Sequence, residues 1–203
     1  MRPTMRIEPI KMPEQQAALM LHRTRDLLVR QRPMQVNVFR GHMAELGIIA
    51  PRGISQVADL VAVLLGNDEK AMPMLAWQAL RGLAAELETL GERIEAIEAA
   101  ILTWHKGNEA SCRLATVPDI GPITASAIVA SVTDPTQFRT GRHLAAWTGL
   151  VPKQNFSGRK EWQDGIPKQG DCTLRRLLVL GATAVIRHAR TKSAPEATWF
   201  KSL

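Results

Sequence analysis

The sequence predicts a mainly α-helical protein: a helical hairpin or coiled-coil arm, then a small helical domain with a helix-hairpin-helix-like motif. Three observations carry this. Leu80, Leu83, Leu87, Leu90, Ile94, Ile97, Ile101 and Trp104 recur at alternating intervals of three and four, an a/d heptad stripe. From Ser111 onward the composition changes to Ala, Thr, Gly and small β-branched residues around a Pro118-Asp-Ile-Gly-Pro122 turn. The aromatic content is only 4%, with no Tyr, which argues against a sheet that reads RNA by stacked aromatics.

In order along the chain, residues 13–31 read as a helix with Pro13 in its first turn and Leu19, Leu21, Leu27, Leu28 and Val29 on its apolar side. Pro33 is expected to end or kink it, with a second helix resuming over residues 36–46 and stopping at Gly47. Residues 54–65 read as a short apolar helix. The heptad stripe predicts a helix over residues 76–105, with Glu86, Glu88, Glu92, Glu95 and Glu98 on its outer positions. That stripe either joins two copies of the chain or packs on residues 13–46 of its own chain; both satisfy a narrow apolar seam. Lys106-Gly-Asn breaks the arm, and the domain boundary is placed near 107–110. A last helix is expected over residues 172–190, N-capped by Asp171.

Charge divides the chain. Residues 1–112 hold 13 Lys and Arg against 13 Asp and Glu, whereas residues 113–203 hold 13 against 6. The whole surplus of +7 therefore lies in the second part, the footprint of a nucleic-acid-binding module. Cys112 and Cys172 are too few for a disulfide framework or zinc site and are expected to pack as small hydrophobes. No apolar run reaches the ~18 residues of a membrane span, and Met-Arg-Pro-Thr-Met-Arg lacks a signal-peptide core, so a cytoplasmic location is expected.

Two motifs carry chemistry. Val117–Ala130 places Gly121 and Pro122 before an Ala-rich helix, a pattern in which backbone N–H groups at a helix start hold a phosphate; Gly121 and Thr124 are the candidate contacts. Asp119 stands where such hairpins usually have Gly. The second motif is Gly149–Lys160, where Lys153, Gln154, Arg159 and Lys160 surround Ser157, followed by Lys168, Arg175 and Arg176. A serine attacking a phosphodiester needs cations to stabilise the charged transition state and a base to take its proton. This loop-like segment supplies the cations, and Glu161, Asp164 and Asp171 are the nearest carboxylates. Arg175 and Arg176 in a helix's first turns oppose the macrodipole, which points to an anionic partner. The C-terminal part has no Asp-x-x-Asp pair, so no metal site is assigned.

Pro118–Ala127, Phe138–Gln154, Ser157-Gly and Lys168–Leu178 resemble, in order and spacing, the C-terminal transposase domain of the one-hundred-ten family of insertion sequences, related to Piv-type DNA invertases. The resemblance implies a two-part active site. A resolvase-like domain would carry four acidic residues (the DEDD set) that bind Mg2+, and the C-terminal domain would supply the nucleophile, whose position Ser157 matches. It implies a structured bridge RNA that selects target and donor DNA, with a nucleoid-associated bacterial location; the heptad stripe itself predicts a homo-oligomer through residues 80–104. Residues 1–12 then follow a missing resolvase-like domain, 13–107 form a helical linker with the arm, and 111–203 form an incomplete transposase domain. A truncated transposase that binds DNA without strand transfer is the expectation. A non-catalytic helix-hairpin-helix dimerisation module is the alternative.

Overall fold

The computed structural model describes residues 10–48, 61–62, 64, 72–152, 154–157, 160–163 and 165–191. They are mainly helical: α1 Pro13–Glu45, α2 Met74–Lys106, α3 Glu109–Leu114, α4 Pro122–Ser131, a 3-10 turn Pro135–Gln137, α5 Gly141–Trp147, and α6 Cys172–Thr191. One antiparallel hairpin, β1 Gln154–Ser157 and β2 Lys160–Gln163, interrupts them between α5 and α6. The chain forms two compact units, residues 21–100 and residues 1–20 with 101–203.

The 21–100 unit is built on side-chain periodicity. Val36, Phe39 and Met43 of α1 pack with Leu80, Ala84 and Leu87 of α2, and Arg25 meets Glu98 at 2.6 Å further along the same antiparallel pair. Phe39 and Met43 are fully buried, and each such side chain is worth roughly 1.5–3 kcal/mol of transfer free energy. Helix α1 does not end at Pro33 but runs through it. Pro33 and Val29, whose carbonyl loses its helical partner, are both exposed, so water can satisfy that oxygen while Val36 to Met43 dock downstream. Gly47 does stop the helix: at φ +79°, it donates to Ala44 O and Ile48 donates to Met43 O, a Schellman closure with Ile48 packed on the core.

The heptad stripe is buried within one chain: Leu80, Leu87, Leu90, Ile94 and Ile101 are all inaccessible. These positions of the stripe are thus covered within the chain itself. The helix expected over residues 54–65 lies outside the described residues except at Val61, Ala62 and Leu64, which are helical, with Val61 and Leu64 in the same core.

The other unit is assembled from short pieces. At the start of α1, Gln15 accepts from the Met12 N–H and donates to the Val129 carbonyl of α4, while Ala18 and Leu19 cluster with Ala130 and Trp104. Helix α2 ends at Lys106, and the Asn108 side chain caps α3 by accepting from Ser111 N. Buried His105 and Ser111 share a 2.7 Å hydrogen bond across that break. Helix α4 buries Thr124, Ala125, Ser126, Ala127, Ala130 and Ser131, whose small side chains let neighbouring backbone approach. Cys112 and Cys172 are exposed rather than packed; the Cys112 thiol reaches the His105 carbonyl at 3.3 Å. No helix among the described residues is long and apolar enough to cross a membrane.

Candidate nucleic-acid interface

The segment around Ser157, loop-like in composition, is a β-hairpin. Its register pairs Gln154 with Gln163, Asn155 with Trp162, Phe156 with Glu161 and Ser157 with Lys160. Ser157 and Lys160 therefore form the last pair before the connecting residues 158 and 159, with Cα atoms of such partners ~5 Å apart. Lys153, Arg159 and Asp164 lie outside the described residues.

The hairpin stands on a clamped base. Helix α5, capped by the Thr140 hydroxyl, closes with a second Schellman arrangement: Gly149 N donates to Ala146 O and Leu150 N to Ala145 O. Gly149 has φ +72° and Gly170 φ +79°. A Cβ added to Gly149 would overlap the Gln169 carbonyl oxygen, and one on Gly170 would overlap the Trp147 carbonyl oxygen. The two ends of segment 150–169 thus meet backbone to backbone, a contact that only glycine permits. Arg175 Nη1 ties them by donating to Thr148 O at 3.0 Å and Gln169 O at 2.7 Å. Beneath them Thr148 and Leu174 are buried, and Thr148 Oγ1 bonds the Leu144 and Ala145 carbonyls.

This arrangement redistributes the predicted site residues. Lys168, exposed and at φ +56°, and Arg176, exposed on α6, flank the clamp. Arg175 is half-buried and its Nη1 is engaged with backbone carbonyls, so it holds the hairpin's base. Asp171 caps α6, its Oδ1 accepting from Thr173 N at 2.8 Å and Leu174 N at 3.0 Å, which commits the carboxylate to the helix start. Gly121 is exposed at the N-terminus of α4, but Thr124 is buried, which removes its hydroxyl from any surface contact. Asp119 takes φ +76°, the backbone state that explains why glycine suits this position, and its carbonyl lies where a Cβ on Gly181 of α6 would fall. Sequence reasoning missed Thr148, Gly149, Gly170 and Gly181; a lone glycine before a basic segment was the only available signal.

Among the described residues no group of three or more His, Cys, Asp or Glu could hold a metal ion. The divalent metal implied by the resemblance therefore finds no ligand set among them.

Residues 111–196, which span the α3–α4 turn, the clamp and the hairpin, match the model of the Transposase IS116/IS110/IS902 family. The chain is 41% identical over its whole length to a protein of Pseudomonas aeruginosa named a probable family 20 transposase, covering 60% of that relative. It is 35% identical over its whole length to the transposase for insertion sequence element IS1111A of Coxiella burnetii, covering 56% of it. It is 36% identical over 98% of its length to the transposase for insertion sequence element IS1328 of Yersinia enterocolitica, covering 58% of it. The chain thus spans somewhat more than half the length of these relatives.

Proposed function

We propose that this chain handles DNA during transposition of an insertion sequence and that Ser157 is the nucleophile of the complete enzyme, a reading supported by the match of residues 111–196 to the IS116/IS110/IS902 transposase family model. In that reaction Ser157 Oγ bonds to phosphorus, the bond from phosphorus to one deoxyribose oxygen breaks, and that oxygen takes up a proton. The serine proton passes to a base. The phosphodiester energy is kept in the phosphoserine link, so strand exchange can reverse the step on a new DNA end. Lys160, paired across the hairpin from Ser157, supports this reading as the cation beside the crowded phosphorus. Lys168 and Arg176, with Lys153, Gln154 and Arg159 by sequence, would line the backbone path.

The observation that carries the proposal is the family match over the very residues that build the clamped hairpin. The acidic metal-binding part and the bridge RNA of the resemblance belong to the same reading, and the metal ligands would come from outside the described residues. On this reading the chain alone binds nucleic acid and leaves it uncut. Its affinity falls steeply with salt, about a hundredfold between 50 and 200 mM if some four phosphates are neutralised.

The test combines the purified chain, a resolvase-like acidic partner and transposon-end DNA. A covalent protein–DNA adduct should form, and Ser157→Ala should abolish it with DNA binding unchanged. Recombination that survives Ser157→Ala would remove the nucleophile and leave a non-catalytic DNA-binding module, for which the α3–turn–α4 hairpin with exposed Gly121 is the supporting feature.

A further inference from the structure

A cleft of about 1040 Å³, with no hairpin residue in its lining, lies between α3, α4, the 3-10 turn and the start of α5. Its volume is at the upper end of the ~300–1,000 Å³ usual for sites that take small organic groups. Ile128 and Val132 give it an apolar floor and Phe138 an aromatic wall, while Arg113 and Arg139 on its lining are both exposed. Phe138 is held in place by edge-to-face contacts with His143 at 5.7 Å and Trp147 at 5.6 Å. The wall is therefore set before anything binds.

One lining residue is in an unfavourable state. The Thr133 hydroxyl oxygen is buried without a hydrogen-bond partner. A buried hydroxyl left unpaired is destabilising, and because Thr133 lines the cleft a ligand there could satisfy it. The cleft thus combines apolar and aromatic lining, one hydroxyl that can donate or accept, and two exposed arginines. A planar heterocycle carrying both donors and acceptors, with phosphates on either side, matches all three.

We propose that this cleft receives an unpaired base of bound DNA, stacked on Phe138 and hydrogen-bonded by Thr133, with the adjoining phosphates on Arg113 and Arg139. The proposal rests on the nucleic-acid reading above, and charge complementarity selects its occupant: the surplus of cations lies in residues 113–203. Stacking on an aromatic is tolerant of base identity, so the cleft selects for an extruded base rather than for a sequence.

The test measures binding of the full chain to three labelled DNA duplexes: fully paired, with one bulged base, and with an abasic bulge of the same backbone. The bulged base should bind roughly tenfold more tightly than the abasic site, as expected from one stacked base. Thr133→Val should reduce that preference about threefold or more while keeping or raising Tm, because it removes a hydroxyl unpaired in the free protein. Phe138→Leu should abolish the preference, and Arg139→Gln should weaken all three duplexes and lower the salt slope by about one. Equal binding of base and abasic bulges, with salt-sensitive binding intact, overturns the cleft assignment alone and would fit a cleft built for a protein side chain. Base dependence seen only with the matched RNA overturns it as well. Failure to bind any duplex overturns it together with the functional proposal.

Discussion

The two compact units are held together by different means. In residues 21–100 side chains do the holding: Phe39 and Met43 fill the space between two long helices, and the backbones stay apart. In the C-terminal part the backbone itself makes the decisive contacts, at Gly149 on Gln169, Gly170 on Trp147 and Gly181 on Asp119. A side-chain core tolerates exchange of one apolar shape for another. A backbone seam tolerates no added atom, and it fixes position more tightly, which suits the nucleophile-presenting role proposed for this part.

Substitutions can break or sharpen that contrast. Phe39→Ala should be the most costly, about 4 kcal/mol in chemical denaturation, while Phe39→Leu should cost only about 1 kcal/mol. At Gly149 no such graded series is expected. Gly149→Ala already meets both the left-handed backbone and the Gln169 carbonyl, and should cost about 3 kcal/mol with larger residues no better tolerated. Arg175→Ala should cost about 2 kcal/mol by leaving the Thr148 and Gln169 carbonyls unserved. If Arg175 instead served mainly as a phosphate contact, DNA affinity would drop with stability unchanged. Pro33→Ala should stabilise the helical pair by about 1 kcal/mol, since it restores a helix hydrogen bond and the lost stiffness of the unfolded chain offsets only part of that gain.

The smallest effect expected is on pH dependence. The Thr136 hydroxyl and then the Thr136 N–H hold the Asp134 carboxyl below its ordinary value of 3.8. A depressed folded-state pKa contributes stability above the unfolded value, and that contribution disappears as pH falls through the folded value. Asp134→Asn should therefore flatten the stability profile below about pH 4, slightly lowering stability at neutral pH and leaving the acid end unaltered. An acid limb of unchanged slope would show that the Thr136 bonds form equally in the unfolded chain.

The same contrast explains what the sequence made legible. Helix α2 and the capped start of α6 followed from heptad spacing and Asp171, because side-chain periodicity and caps are written in residue types. The continuity of α1 through Pro33 was not legible, since a local breaker was overridden by docking of Val36 and Phe39 far away in sequence. The hairpin at 154–163 was missed because two mostly polar four-residue strands show no alternation long enough to detect. Of the candidate site, Ser157 and its cations were visible as chemistry, but the backbone partners of Arg175 and the burial of Thr124 were not. Close approach of Gly149 to Gln169 joins residues on two separate segments, which no local pattern records.

Because Gly149 abuts Gln169 and Gly170 abuts the Trp147 carbonyl, the polypeptide leaves the helical scaffold and returns to it at nearly the same point. The scaffold's path would be almost continuous if residues 150–169 were cut away and the stumps joined by a short flexible bridge. The hairpin is in this sense a fitting on a socket: it can lengthen, shorten or be exchanged without altering the helices that carry it. Variation among related proteins can then collect in this segment at little cost to folding, and a grafted loop could be displayed from the same socket.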